Sequence, residues 1–121
     1  MKSFIELEVY KLSKDLTIRI HKMTLTLPRF ELYEEASQIR RLSKAVTAIV
    51  EGYGKRAYKG DFIRQLTLGT TECDETILHL EFLYETNSLT EKAIYEEFFS
   101  EYTKLSKMLN RFIQWIENNL K

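Results

Sequence analysis

A single proline, Pro28, interrupts a chain of 121 residues whose apolar side chains otherwise recur at steps of three and four. That spacing returns side chains to one face of an α-helix, and a chain so poor in proline has little else to break long helices. Only four glycines accompany the proline, against a 44% hydrophobic and 30% charged composition. This balance describes a helical globular chain with a core, not a disordered one.

The first helix is predicted to begin after Ser3, where Ser3 and Glu6 have capping-box spacing. Val9, Leu12, Leu16, Ile20, Met23 and Leu27 then share a face up to Pro28. A second helix is expected over about Leu32 to Glu51, with Leu32, Ala36, Ile39, Leu42, Val46 and Ile49 or Val50 inward. Gly52 is read as its left-handed stop, and Tyr53 as a core anchor folded back on the last turn. The third helix, from about Asp61 to Thr86, faces inward with Phe62, Leu66, Thr70, Cys73, Ile77, Leu80 and Tyr84. Gly69 inside it costs about 1 kcal/mol relative to alanine and marks a close helix contact. Asn87-Ser88-Leu89 reads as a turn, with Ser88 or Thr90 capping a fourth helix that ends near Asn119. Its stripe is Ile94, Phe98, Tyr102, Leu105, Leu109, Phe112, Ile116 and Leu120. Short connections make successive helices antiparallel. The expected fold class is therefore all-α, an antiparallel up-down-up-down four-helix bundle forming one domain over residues 1–121.

Cys73 is the only cysteine, which rules out an intrachain disulfide and a cysteine-rich zinc site and suits a reducing, cytoplasmic compartment. No stretch reads as a signal peptide or approaches the ~20 apolar residues of a membrane span, so no membrane partner is expected.

Zero net charge conceals an asymmetry. Between Ser37 and Gly60, Arg40, Arg41, Lys44, Lys55, Arg56 and Lys59 face a single acid, Glu51, whereas acids outnumber bases from Asp61 onward. With Ile39 at the origin of a helical wheel, Arg40, Arg41 and Lys44 fall at about 100°, 200° and 140°, nearly opposite the expected core stripe. Ala45 and Ala48 flank the trio and leave room for another surface to approach. The trio and the three cations of the following loop, interleaved with Tyr53 and Tyr58, form a candidate nucleic-acid-binding patch. The alternative is a solvated face that pairs with acidic helices of its own chain or of a neighbour, such as Glu96, Glu97 or Glu101.

The segment "SQIRR", then "VEGYGKR", then a "DFIRQL" helix resembles bacterial four-helix-bundle proteins. These are the intervening-sequence proteins, encoded within large-subunit ribosomal RNA genes. The resemblance extends from "LEVYKLS" at Leu7 to "LNRFIQWI" at Leu109, with Gln38-Ile39-Arg40-Arg41 and Glu51-Gly52-Tyr53-Gly54 its most specific parts. It implies a homopentamer packed around an axis. It also implies kinship with the accessory variability determinant of diversity-generating retroelements, a pentamer that binds nucleic acid and a reverse transcriptase. Partners so implied are further copies of the chain, nucleic acid or a nucleic-acid enzyme. The chain departs from the pattern at Ala48, where the family usually has asparagine, so no role of that asparagine carries over.

Catalytic constellations are missing from the sequence. Gly52-x-Gly54-x-x-Ala57 follows a helix, not a strand, and so is no dinucleotide fingerprint. Neither His21 nor His79 has a glutamate three residues before it, as a di-iron bundle requires, and Cys73 lies on an apolar stripe. No enzyme, cofactor or metal is expected.

Overall fold

The computed structural model describes residues 7–30, Ile39 and residues 45–121. Among these there are four helices and no strand: α1 (Glu8–Thr24), α2 (Ala45–Gly54), α3 (Lys59–Glu85) and α4 (Lys92–Asn119). The chain is all-α, as expected, and no described helix is long and apolar enough to cross a membrane.

Three helices carry buried seams with alternating steps of four and three. In α1 the seam is Val9, Ser13, Leu16, Ile20 and Met23, continued by Leu27. In α3 it is Phe62, Leu66, Gly69, Cys73, Thr76, Leu80 and Leu83. In α4 it is Phe98, Tyr102, Leu105, Leu109 and Ile116, with Phe112 half-buried in the remaining step. A step averaging 3.5 residues keeps a straight seam against neighbouring helices. Register, more than local hydrophobicity, then decides what is inside. Ser13 and Thr76 occupy seam positions, and Leu12 and Ile77, expected there, sit half-buried at the edge. The two hydroxyls are tolerated because each bonds to its own helix, Ser13 Oγ to the Tyr10 carbonyl at 3.0 Å and Thr76 Oγ1 to the Glu72 carbonyl at 2.7 Å.

Four expectations about helix ends and faces are corrected. Leu7 is extended (φ −69°, ψ 131°), so α1 starts at Glu8 and not just after Ser3; the Ser3–Glu6 capping box lies outside the described residues. Gly52 is not a left-handed stop: no described glycine has positive φ, and α2 continues through it to Gly54. Ala45 and Ala48 are buried, so the surface that approaches them closely is α3 of the same chain. Finally, neither Ser88 nor Thr90 caps α4; its N-cap is Glu91, without a side-chain cap bond. The turn before it does form. Asn87 takes φ 64°, Ser88 N–H bonds to the Leu83 carbonyl and Asn87 N–H to that of Tyr84, which is a Schellman closure of α3. Leu89 is thereby delivered into the core.

Contacts between helices pair opposite ends. Phe62, early in α3, meets Phe112, late in α4, edge-on at 5.7 Å, while Tyr84, late in α3, stacks on Tyr95, early in α4, at 4.5 Å. Tyr53 at the end of α2 meets Phe62 edge-on at 6.2 Å. Arg19 of α1 bridges Asp15 and Glu97 and lies 5.5 Å over the Phe98 ring. Buried residues of all four helices join in one cluster.

Glycine allows α2 and α3 to touch. A Cβ on Gly52 would stand 3.1 Å from Gln65 Cβ and 3.4 Å from the Phe62 carbonyl oxygen, neither of which can swing aside. On Gly69 it would meet the mobile tip of Leu109 at 3.4 Å and Ala48 Cβ at 3.8 Å. The close contact expected at Gly69 is present, but the tighter one is at Gly52. Overpacking costs about 1–3 kcal/mol and outweighs the ~1 kcal/mol alanine gains in a helix. Gly52→Ala is therefore expected to lower the urea midpoint, and Gly69→Ala to leave it unchanged or raise it.

Candidate nucleic-acid interface

The six expected patch residues divide. Arg40, Arg41 and Lys44 lie outside the described residues; Ile39, on which their wheel was centred, is fully buried. Within α2 the buried side comprises Ala45, Ala48, Ile49, Gly52 and Tyr53, while Val46 and Val50 remain half-buried beside Tyr10. Lys55, Arg56 and Lys59 belong to the turn from α2 to α3 and its first helical residue. The turn is closed by Lys55 N–H to the Gly52 carbonyl, Arg56 N–H to Tyr53 and Tyr58 N–H to Lys55.

Two of these three cations are tied to the protein. Arg56 Nη1 donates to the Tyr53 carbonyl at 2.9 Å, and its guanidinium lies 4.4 Å from the centroid of the Tyr53 ring. It forms a lid on the Tyr53–Phe62–Phe112 column of edge-on rings. Lys59 Nζ reaches across to the end of α4 and donates to the Glu117 and Leu120 carbonyls, both at 2.9 Å. It thereby satisfies free carbonyls at the negative end of a helix dipole. Lys55 and Tyr58 are exposed, whereas Tyr53 is buried and cannot stack on a base as the interleaved pattern suggested.

Sequence reading searched for dense charge and so passed over Lys104, Lys107 and Arg111. They are exposed on α4, spaced three and four apart, and line an open groove of about 480 Å³ with Phe99, Thr103 and Met108. Helical period, not local density, is the signal that groups them.

Cys73 is fully buried, and burial, followed by the carboxylates of Asp74 and Glu72, pushes its thiol up to about 12. Tyr102 is raised too, by burial first and then by Cys73, with Arg19 opposing. Neither group is poised to ionise near neutrality. Among the described residues, no three His, Cys, Asp or Glu side chains converge to hold a metal.

Lys59 is thus a structural cation, and Lys55 on the same turn is its control. Lys59→Met is expected to lower unfolding free energy by about 1 kcal/mol and to speed amide exchange at the end of α4, while Lys55→Met stays within about 0.5 kcal/mol.

No curated protein and no solved structure matches the chain. A family model does, over residues 5–111: that of the 23S rRNA-intervening sequence protein. The matched span runs from the approach to α1 to Arg111, the last of the cationic row of α4, and includes the Gly52 contact and the α2–α3 turn. The chain belongs to the 23S rRNA-intervening sequence protein family.

Proposed function

We propose that this protein is a non-enzymatic, self-associating helical bundle, with its helices in up-down-up-down order, that works as a binding scaffold. The pairing of opposite helix ends in the ring contacts supports that order. One observation carries the self-association. Leu68, Leu78 and Phe82 on α3 and Phe99 and Trp115 on α4 are each between 41% and 48% exposed. Large apolar groups left half-exposed along two adjoining helices favour a covered surface over water. The neutral, buried thiol supports the non-enzymatic reading, because the chain's strongest nucleophile is kept out of use.

A ring of copies, five in the arrangement implied by the resemblance, agrees with those two outward faces. Light scattering at micromolar concentration is expected to give a particle several times the 14.4 kDa of the chain. A monomer at that concentration excludes the scaffold.

A second reading, an accessory to nucleic acid or to a nucleic-acid enzyme, is favoured by the exposure of Lys55 and Arg56 beside the exposed ring of Tyr58. In that reading the turn and the Arg40–Lys44 segment contact phosphates without reading bases. Binding of a labelled oligonucleotide would weaken with salt at a log–log slope of about −0.9 per duplex phosphate neutralised. Arg40→Ala with Arg41→Ala is expected to reduce both affinity and slope in fluorescence anisotropy. Unchanged binding in the double variant removes this reading. Two of the three acids suggested as partners for the basic segment are already engaged at home, Glu97 by Arg19 and Glu96 by Lys92.

A further inference from the structure

Two outward faces of this chain complement each other and cannot meet within one copy. The outer face of α3 is a second seam, Leu68, Thr71, Glu75, Leu78, Phe82 and Glu85, again stepping by three and four. Each member lies two residues beyond a buried one, which is about 200° around the helix. All six are exposed, and between Gln65 and Glu85 the helix contains five acids and neither lysine nor arginine. Tyr95 nearby ionises above its ordinary value, through burial first and then Glu81 and Glu85, which marks the same negative field. On α4 the construction repeats with the opposite sign. Lys104, Lys107 and Arg111 stand two residues beyond the buried Tyr102, Leu105 and Leu109, and no acid falls between Thr103 and Ile116.

Among the described residues, Glu75 and Glu85 have no ion-pair partner, and nor do Lys104, Lys107 and Arg111. Each face points away from its own buried seam, so the two cannot close on each other in one chain. The cationic row covers about 10 Å of helix and the stretch from Glu75 to Glu85 about 15 Å, a difference within reach of lysine and arginine side chains. Apolar groups match as well: Leu78 and Phe82 lie between the carboxylates, and Phe99 and Met108 line the groove beside the cations. A polyanion would satisfy the cations of α4 but leave Leu78 and Phe82 in water. A second copy of this chain satisfies both.

We propose that the outward seam of α3 in one copy docks into the groove on α4 of another, with Glu75 and Glu85 facing Lys104, Lys107 and Arg111. This rests on the self-association reading and names its surfaces. Charge pairs set the register and orientation of such a contact, while the apolar groups supply its burial.

Charge exchange tests it. Glu75→Lys with Glu85→Lys, and separately Lys104→Glu with Lys107→Glu, are each expected to weaken assembly at least about tenfold in light-scattering dilution series. All four substitutions in one chain restore opposite signs across the contact and are expected to recover most of the assembly. Circular dichroism checks that these exposed substitutions keep the helices. Leu78→Gln with Phe82→Gln, which alters no charge, is expected to weaken assembly too. Assembly that survives either charge pair, or a fourfold variant no better than the twofold ones, overturns the docking but leaves self-association standing. A native chain that is monomeric throughout overturns both.

Discussion

Where α2 lies down on α3, the distance between the two backbones is set by the absence of side chains. Gly52 over Phe62 and Gln65, and Ala45 and Ala48 over Gly69, leave no room for a Cβ at the tightest point. Much of the remaining geometry hangs from that contact. It brings Tyr53 edge-on to Phe62, and Phe62 in turn to Phe112, so that three helices share one column of rings. It also fixes how α2 hands over to α3, and so which way Arg56 and Lys59 point. Arg56 closes the column from above, and Lys59 extends to the last carbonyls of α4. A bundle end often frays because its final carbonyls lack partners. Here a residue from another helix supplies the donor.

How far the sequence could be read follows from this arrangement. The stripe of α4 was legible from Phe98 to Ile116 because large apolar residues fill its seam. In α1 and α3 the same reasoning chose Leu12 and Ile77 over their neighbours Ser13 and Thr76. It weighed each residue's hydrophobicity, whereas the 3.5-residue register of the neighbouring helices decides which Cβ points inward. Gly52 was misread for a related reason. A glycine near a helix end ordinarily signals a left-handed stop, and only the third dimension reveals a neighbouring helix within 3.1 Å of the missing Cβ. At the candidate site, charge density drew attention to the residues of the α2–α3 turn. It could not show that the partner of Lys59 is a carbonyl 58 residues further along. The row on α4 escaped notice for the opposite reason: its cations are diluted by apolar residues in the sequence and gathered only by the helical turn.

Formal neutrality is therefore a poor description of this molecule. Acids concentrate on the outside of α3, cations on the stretch of α4 between Thr103 and Ile116, and each group is set among exposed apolar side chains. Isolated surface charges contribute little to folding, and their stabilising effect is commonly below about 1 kcal/mol. Segregated charge of this kind bears instead on what the surface meets, and from which direction. The distribution of charge over the fold distinguishes one surface of this chain from another.

The position of Cys73 has a consequence for how the molecule's breathing is observed. Its sulfur sits fully buried midway along α3, in the seam that packs against the other helices. An alkylating reagent needs a thiolate that it can reach, and neither condition is met until the seam parts. For a domain of ordinary stability, about 5–10 kcal/mol, the parted form amounts to roughly one molecule in ten thousand to one in ten million. Labelling of this one sulfur, slow and single-hit, therefore counts openings of the seam without any introduced probe. When reclosing outpaces the reagent the rate reports the equilibrium of opening, and when the reagent outpaces reclosing it reports the opening step itself.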